Sequence, residues 1–103
     1  MKNEILVKNP VIESRIWTAV KAKIFELKME KKNEFENTNE LVNELLTKYN
    51  RKEITVENYE KESRKPTKVA FSKETLEIYN KIPAGNRSYI ISGLLRGWLN
   101  EQE

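Results

Sequence analysis

The residues of this chain best suited to chemistry are basic and small side chains at strand and helix-start spacing. In Lys68-Val69-Ala70-Phe71-Ser72, Val69 and Phe71 share one face, and Lys68, Ala70 and Ser72 share the other. That alternation is the period-2 pattern of a half-buried strand. On the exposed face Lys68 is a charged hydrogen-bond donor and Ala70 a small apolar contact. Asn86-Arg87-Ser88 opens an apolar-striped helix, where unpaired backbone N–H groups and the positive dipole end suit a phosphate. Lys61, Arg64, Lys65 and Lys68 crowd around a single Glu62, so Arg64 and Lys65 are further candidates for phosphate contact. These types suit a polyanion, and equally a solvated face. They do not assemble a catalytic centre: the 103 residues include no His and no Cys, and every acidic residue is Glu. Disulfides, thiolate metal sites and Ser-His or Cys-His pairs are thereby excluded. No metal, cofactor or enzymatic activity is expected.

Composition sets wider bounds. The length allows one domain or two very small ones. Nineteen Lys and Arg against sixteen Glu leave a net charge of +3, which permits nucleic-acid binding without requiring it. The N-terminal residues lack the apolar core of a signal peptide, and no run reaches membrane-spanning length. A cytoplasmic protein without a membrane partner is expected.

The elements that must position these residues follow from the apolar spacing. Ser72 caps a helix with Glu74 in its first turn, and Leu76, Tyr79 and Ile82 recur until Pro83-Ala84-Gly85 stops it. Asn86 restarts a helix whose stripe is Ile90, Ile91, Leu94, Leu95, Trp98 and Leu99. A lone strand and two short helices leave strand edges and that stripe uncovered, so the unit needs a second copy of itself. The earlier half of the chain supplies one. Residues 4 to 8 suggest a strand. Asn9-Pro10 reads as the start of a helix carrying Ile16, Trp17, Val20, Ile24 and Leu27. A rival placement runs the strand through Val11-Ile12 and starts the helix near Glu13; a proline in a paired ribbon favours the earlier start. Asn37 or Thr38 caps the next helix, with Leu41, Val42, Leu45, Leu46 and Tyr49 along its stripe. Residues 37–50 align without a gap on 86–99, setting Leu41-Val42 on Ile90-Ile91, Leu45-Leu46 on Leu94-Leu95 and Tyr49 on Trp98. Between the halves, residues 51–65 read as a polar linker. Gly93 and Gly97, four apart, either admit a close neighbour or lie on a face without contacts.

KVAFSKETLEIYNKI followed by GNRSYIISGLLRGWL resembles a ribbon-helix-helix domain, the family of the Arc and MetJ repressors. The resemblance implies a mainly α fold with a short antiparallel β-ribbon, built from two ribbon-helix-helix units in tandem. These are a degenerate unit over 1–50, the linker over 51–65 and a second unit over 66–103. It also implies sequence-specific binding of double-stranded DNA, with the ribbon in the major groove. Lys68 and Ala70, matched by Leu6 and Lys8 in the first unit, would meet bases. Asn86, Arg87 and Ser88, matched by Asn37, Thr38 and Asn39, would meet phosphates beside Arg64 and Lys65. Such a protein is expected to act as a small repressor or a plasmid-type accessory factor in conjugation or partition. The units would pair within one chain, as an intramolecular pseudo-dimer, or between chains as a homodimer. The alternative is a protein-interaction module, an antitoxin or a helical adaptor without a DNA role.

Overall fold

The alternation at Val69–Phe71 requires a partner strand, and the chain provides its own. The computed structural model describes residues 6–103, so Glu4 and Ile5 of the expected first strand lie outside the described residues. Strand β1 (Leu6–Lys8) pairs antiparallel with β4 (Val69–Phe71), setting Leu6 opposite Phe71, Val7 opposite Ala70 and Lys8 opposite Val69. Strand β2 (Val11–Glu13) pairs antiparallel with β3 (Arg64–Pro66), setting Val11 opposite Pro66 and Glu13 opposite Arg64. Both ladders keep one register. Between them the Thr67 N–H donates to the Pro10 carbonyl at 2.8 Å, and beyond them the Ser14 N–H donates to the Ser63 carbonyl at 2.9 Å. The two ladders are thus one ribbon, interrupted where Pro10 has no N–H to give.

This corrects the expected helix start at Asn9-Pro10, because the strand continues past the proline and α1 spans Ser14–Met29. The missing ladder donor is a single local loss. Burial of Pro10 and Ile12 under the ribbon outweighs it.

The remaining helices begin where their caps are. Helix α2 spans Thr38–Asn50, and the Asn37 side chain accepts the Glu40 N–H at 2.9 Å. Helix α3 spans Lys73–Lys81, capped by Ser72 Oγ accepting the Thr75 N–H at 3.2 Å. One 3-10 turn at Ala84–Asn86 then leads into α4, Arg87–Glu101. The chain is mainly helical, with strands before each helix pair.

Packing crosses between the two halves: α4 lies on α1 and β2, α2 lies on α3 and β4, and α2 and α4 meet each other. One buried cluster unites Ile12, Val20, Leu41, Leu46, Val69, Phe71, Ile91 and Leu95. Trp98 is buried in it and Trp17 packs half-buried against it.

A finer symmetry is visible in the hydrogen bonds. The gapless match of 37–50 to 86–99 sets Asn43 on Ser92. Asn43 Oδ1 accepts the Ser72 N–H at 2.9 Å, and Ser92 Oγ accepts the Glu13 N–H at 3.0 Å. Ser72 and Glu13 both immediately precede the first helix of their half. Matching these two residues also matches Asn9 with Lys68, and the ribbon register sets Asn9 and Lys68 opposite each other. The midpoint of the ribbon, on this matching, lies between Asn9 and Lys68.

Residues 54–59 hold no regular structure and lie along α4 at its two glycines. The Glu57 N–H donates to the Gly93 carbonyl at 3.3 Å. A Cβ at Gly93 would collide with the Val56 side chain and stand 2.6 Å from the Glu57 carbonyl oxygen. The glycines admit an extended segment of the linker, and Ile54, Val56 and Tyr59 pack half-buried on the core.

Candidate nucleic-acid interface

Side chains alternate along a strand, so a single register divides the ribbon into two faces. Leu6, Lys8, Pro10 and Ile12 fall on the inner face with Lys65, Thr67, Val69 and Phe71, and Pro10, Ile12, Val69 and Phe71 are buried against the helices. Val7, Asn9 and Val11 fall on the outer face with Arg64, Pro66, Lys68 and Ala70. All of these are exposed except Ala70, which is half-buried. Val7 is 48% and Val11 38% exposed, apolar side chains on the uncovered face of the ribbon. Glu13 shares that register but turns inward and is buried.

Lys68 and Ala70 therefore stand on the face that their alternation predicts. Leu6 and Lys8 do not. Their register places them opposite Phe71 and Val69, on the inner face, where Leu6 is half-buried and Lys8, like Lys65, is exposed at the margin. The outward residues of that strand are Val7, Asn9 and Val11. Matching the strands one residue out of step inverts every side chain. Running the strand through to Glu13, the rival placement, carries the signal that finds these three residues.

The helix starts differ from expectation in a consistent way. Arg87 was expected at a phosphate. Its Nε instead donates to the carbonyls of Tyr79 (3.2 Å) and Ile82 (3.0 Å), and its Nη2 donates to that of Asn80 (3.4 Å). The guanidinium also lies 4.5 Å from the Tyr79 ring centre. It caps the C-terminal end of α3, where carbonyls lack helical partners.

Asn39 is also engaged, its Oδ1 accepting the Ala70 N–H at 3.1 Å. Asn43, overlooked in the sequence, donates from Nδ2 to the Ala70 carbonyl at 2.9 Å. These two amides cover the edge of β4 that faces away from β1. Thr38 is buried, Asn37 is a cap, and the Ser88 hydroxyl is buried without a partner among the described residues. Asn86 is exposed at the start of α4, its side chain making no cap bond. Arg64 and Lys65 are exposed on the ribbon, on opposite faces.

Electrostatics separates the two helix starts. The first turn of α4 carries no acidic residue. That of α2 carries Glu40, whose carboxylate accepts the Glu36 N–H at 3.3 Å. Anions are favoured at α4 and opposed at α2.

Glu13 fixes the far end of the ribbon to the linker. Its carboxylate accepts the Ser63 hydroxyl at 2.7 Å, the Ser63 N–H at 2.5 Å and the Glu62 N–H at 3.1 Å. Burial pushes this carboxyl up, but those bonds, together with nearby Arg15, outweigh burial and hold it below its ordinary value.

Among the described residues, no group of three His, Cys, Asp or Glu side chains is placed to hold a metal ion, and no helix is long and apolar enough to cross a membrane. No protein-family model, curated protein or solved structure matches this chain.

Proposed function

We propose that this protein binds double-stranded DNA with the outer face of its ribbon in the major groove. It would act as a small repressor or a plasmid-type accessory factor. The observation that carries this reading is the outer face itself. Val7, Asn9, Val11, Arg64, Pro66, Lys68 and Ala70 lie on a two-stranded ribbon with no helix over them and no exposed carboxylate among them. A two-stranded ribbon fits the major groove, and lysine, asparagine and small apolar side chains are base readers there. The strand-helix-helix order repeated along the chain, with each second helix packed on the opposite half, supports the ribbon-helix-helix resemblance. Phosphate contact falls to Arg64, Lys65 and the start of α4 near Asn86, because Arg87 is engaged within the fold.

The test is fluorescence anisotropy with duplex DNA from upstream of the protein's own coding sequence, against random competitor. Lys68→Ala should weaken preferred-site binding by about 1–3 kcal/mol and relax sequence preference. Unchanged affinity in a normally folded Lys68→Ala variant would remove the ribbon as the reader. A second reading, a protein-interaction module, is favoured by Phe25 and Met29, which stand 65% and 71% exposed four residues apart on α1. Failure to bind any duplex at low salt would leave that reading in place.

A further inference from the structure

We infer that the ribbon recognises a non-palindromic DNA element, read at its centre by an unlike pair, Asn9 and Lys68. This inference rests on the DNA-binding reading above. A symmetric ribbon places identical side chains on either side of its two-fold axis and therefore selects an inverted repeat. Here the midpoint of the ribbon lies between Asn9 and Lys68, the two positions nearest the middle of any bound site. Asparagine pairs bidentately with adenine N6 and N7, whereas lysine donates to guanine O6 and N7. The centre should therefore carry A·T under one strand and G·C under the other. Flanking positions are small and apolar on both strands, Val7 and Val11 on one and Pro66 and Ala70 on the other. Such side chains favour thymine methyl groups.

The two strands are also held unequally. Hydrogen bonds from Asn39 and Asn43 fix the Ala70 N–H, the Ala70 carbonyl and the Ser72 N–H. On the matching edge of β2, Ser92 Oγ takes the Glu13 N–H, and the Ser88 hydroxyl, at the position of Asn39, makes no bond among the described residues. A more firmly positioned reader discriminates more sharply. Base changes under Lys68 and Ala70 should thus cost more affinity than changes under Asn9 and Val11.

The experiment is selection from a randomised duplex library with the parent chain, with Asn9→Lys and with Lys68→Asn. The parent should enrich a motif unlike its own reverse complement, and inverting the central pair should reduce affinity about tenfold or more. Asn9→Lys should enrich a motif symmetric at its centre with guanine on both strands. Lys68→Asn should do the same with adenine. Both positions are exposed, so circular dichroism and the thermal midpoint should stay close to the parent's. A palindrome enriched by the parent, or an unchanged motif for both variants, would overturn the inference while leaving DNA binding intact. If the parent binds no duplex even at low salt, the DNA-binding reading falls, and this inference with it.

Discussion

Glu13 shows how a single residue links the ribbon to the linker. Four bonds from residues 62 and 63 reach its carboxylate, and the ionised form is the one they hold. Its folded pKa lies below the ordinary 4.5, so the unfolded chain binds the proton more readily. The stabilisation is present above about pH 4.5 and is lost as pH falls through the lower folded value. Glu13→Gln should lower stability by about 1–3 kcal/mol at neutral pH, measured by urea denaturation. Its stability should also change less steeply than the parent's between about pH 5 and 3.

Arg87 makes a complementary case. Arg87→Ala removes the side-chain donor from three carbonyls at the end of α3, of which that of Tyr79 keeps the Ile82 N–H, and should cost about 1–3 kcal/mol in the same assay. Its charge suggested a phosphate because a sequence shows a donor without showing its acceptors. The α3 carbonyls come within reach only once α4 folds back. The outward face of Lys68 and Ala70 is legible because strand alternation alone sets it.

At the scale of elements, α4 and its two glycines carry the argument. Replacing glycine by alanine inside a helix ordinarily gains about 1 kcal/mol. At Gly97 the added Cβ would meet only the flexible Glu57 side chain, at 3.1 Å, so Gly97→Ala should be neutral or slightly stabilising. At Gly93 it would meet Val56 and the backbone of Glu57, which must shift. Gly93→Ala should therefore lower stability by about 1–3 kcal/mol despite better propensity. Thermal melts of the two variants, moving in opposite directions or apart by several degrees, check this contrast. Ile91, 1% exposed on the same helix, tests the core. Ile91→Glu buries an unpaired carboxylate and should yield an unfolded or aggregated product.

Helix limits set by local chemistry are readable in the sequence: the start of α2 at Asn37 or Thr38, the Ser72 cap and the Pro83-Ala84-Gly85 stop all depend on a few neighbouring residues, and the structure selects Asn37. The place of Pro10 is not so readable. Its local preference for a helix start was overridden by partners more than fifty residues away.

For the molecule as a whole, the question is whether the fold closes within one chain. The first and last strands of the ribbon belong to the same chain, and each half's second helix packs against the other half's first. Among the described residues that arrangement pairs the strands within one chain. An exchanged dimer with the same contacts would have to open the segment joining α2 to β3. That segment is held at Gly93, where Glu57 bonds the helix, at Tyr89, on which Tyr59 stacks at 6.0 Å, and at Glu13, which grips residues 62 and 63. The tether also keeps each half at about millimolar local concentration around the other, so exchange should compete only near that protein concentration. Sedimentation should accordingly report a single species of 12.2 kDa up to about 100 μM, with a thermal midpoint independent of concentration. Gly93→Ala, which dislodges the linker from α4, is the variant in which exchange should appear first, as a dimer that grows with concentration and persists on dilution. A parent chain already dimeric at micromolar concentration would mean that the ribbon is completed between molecules.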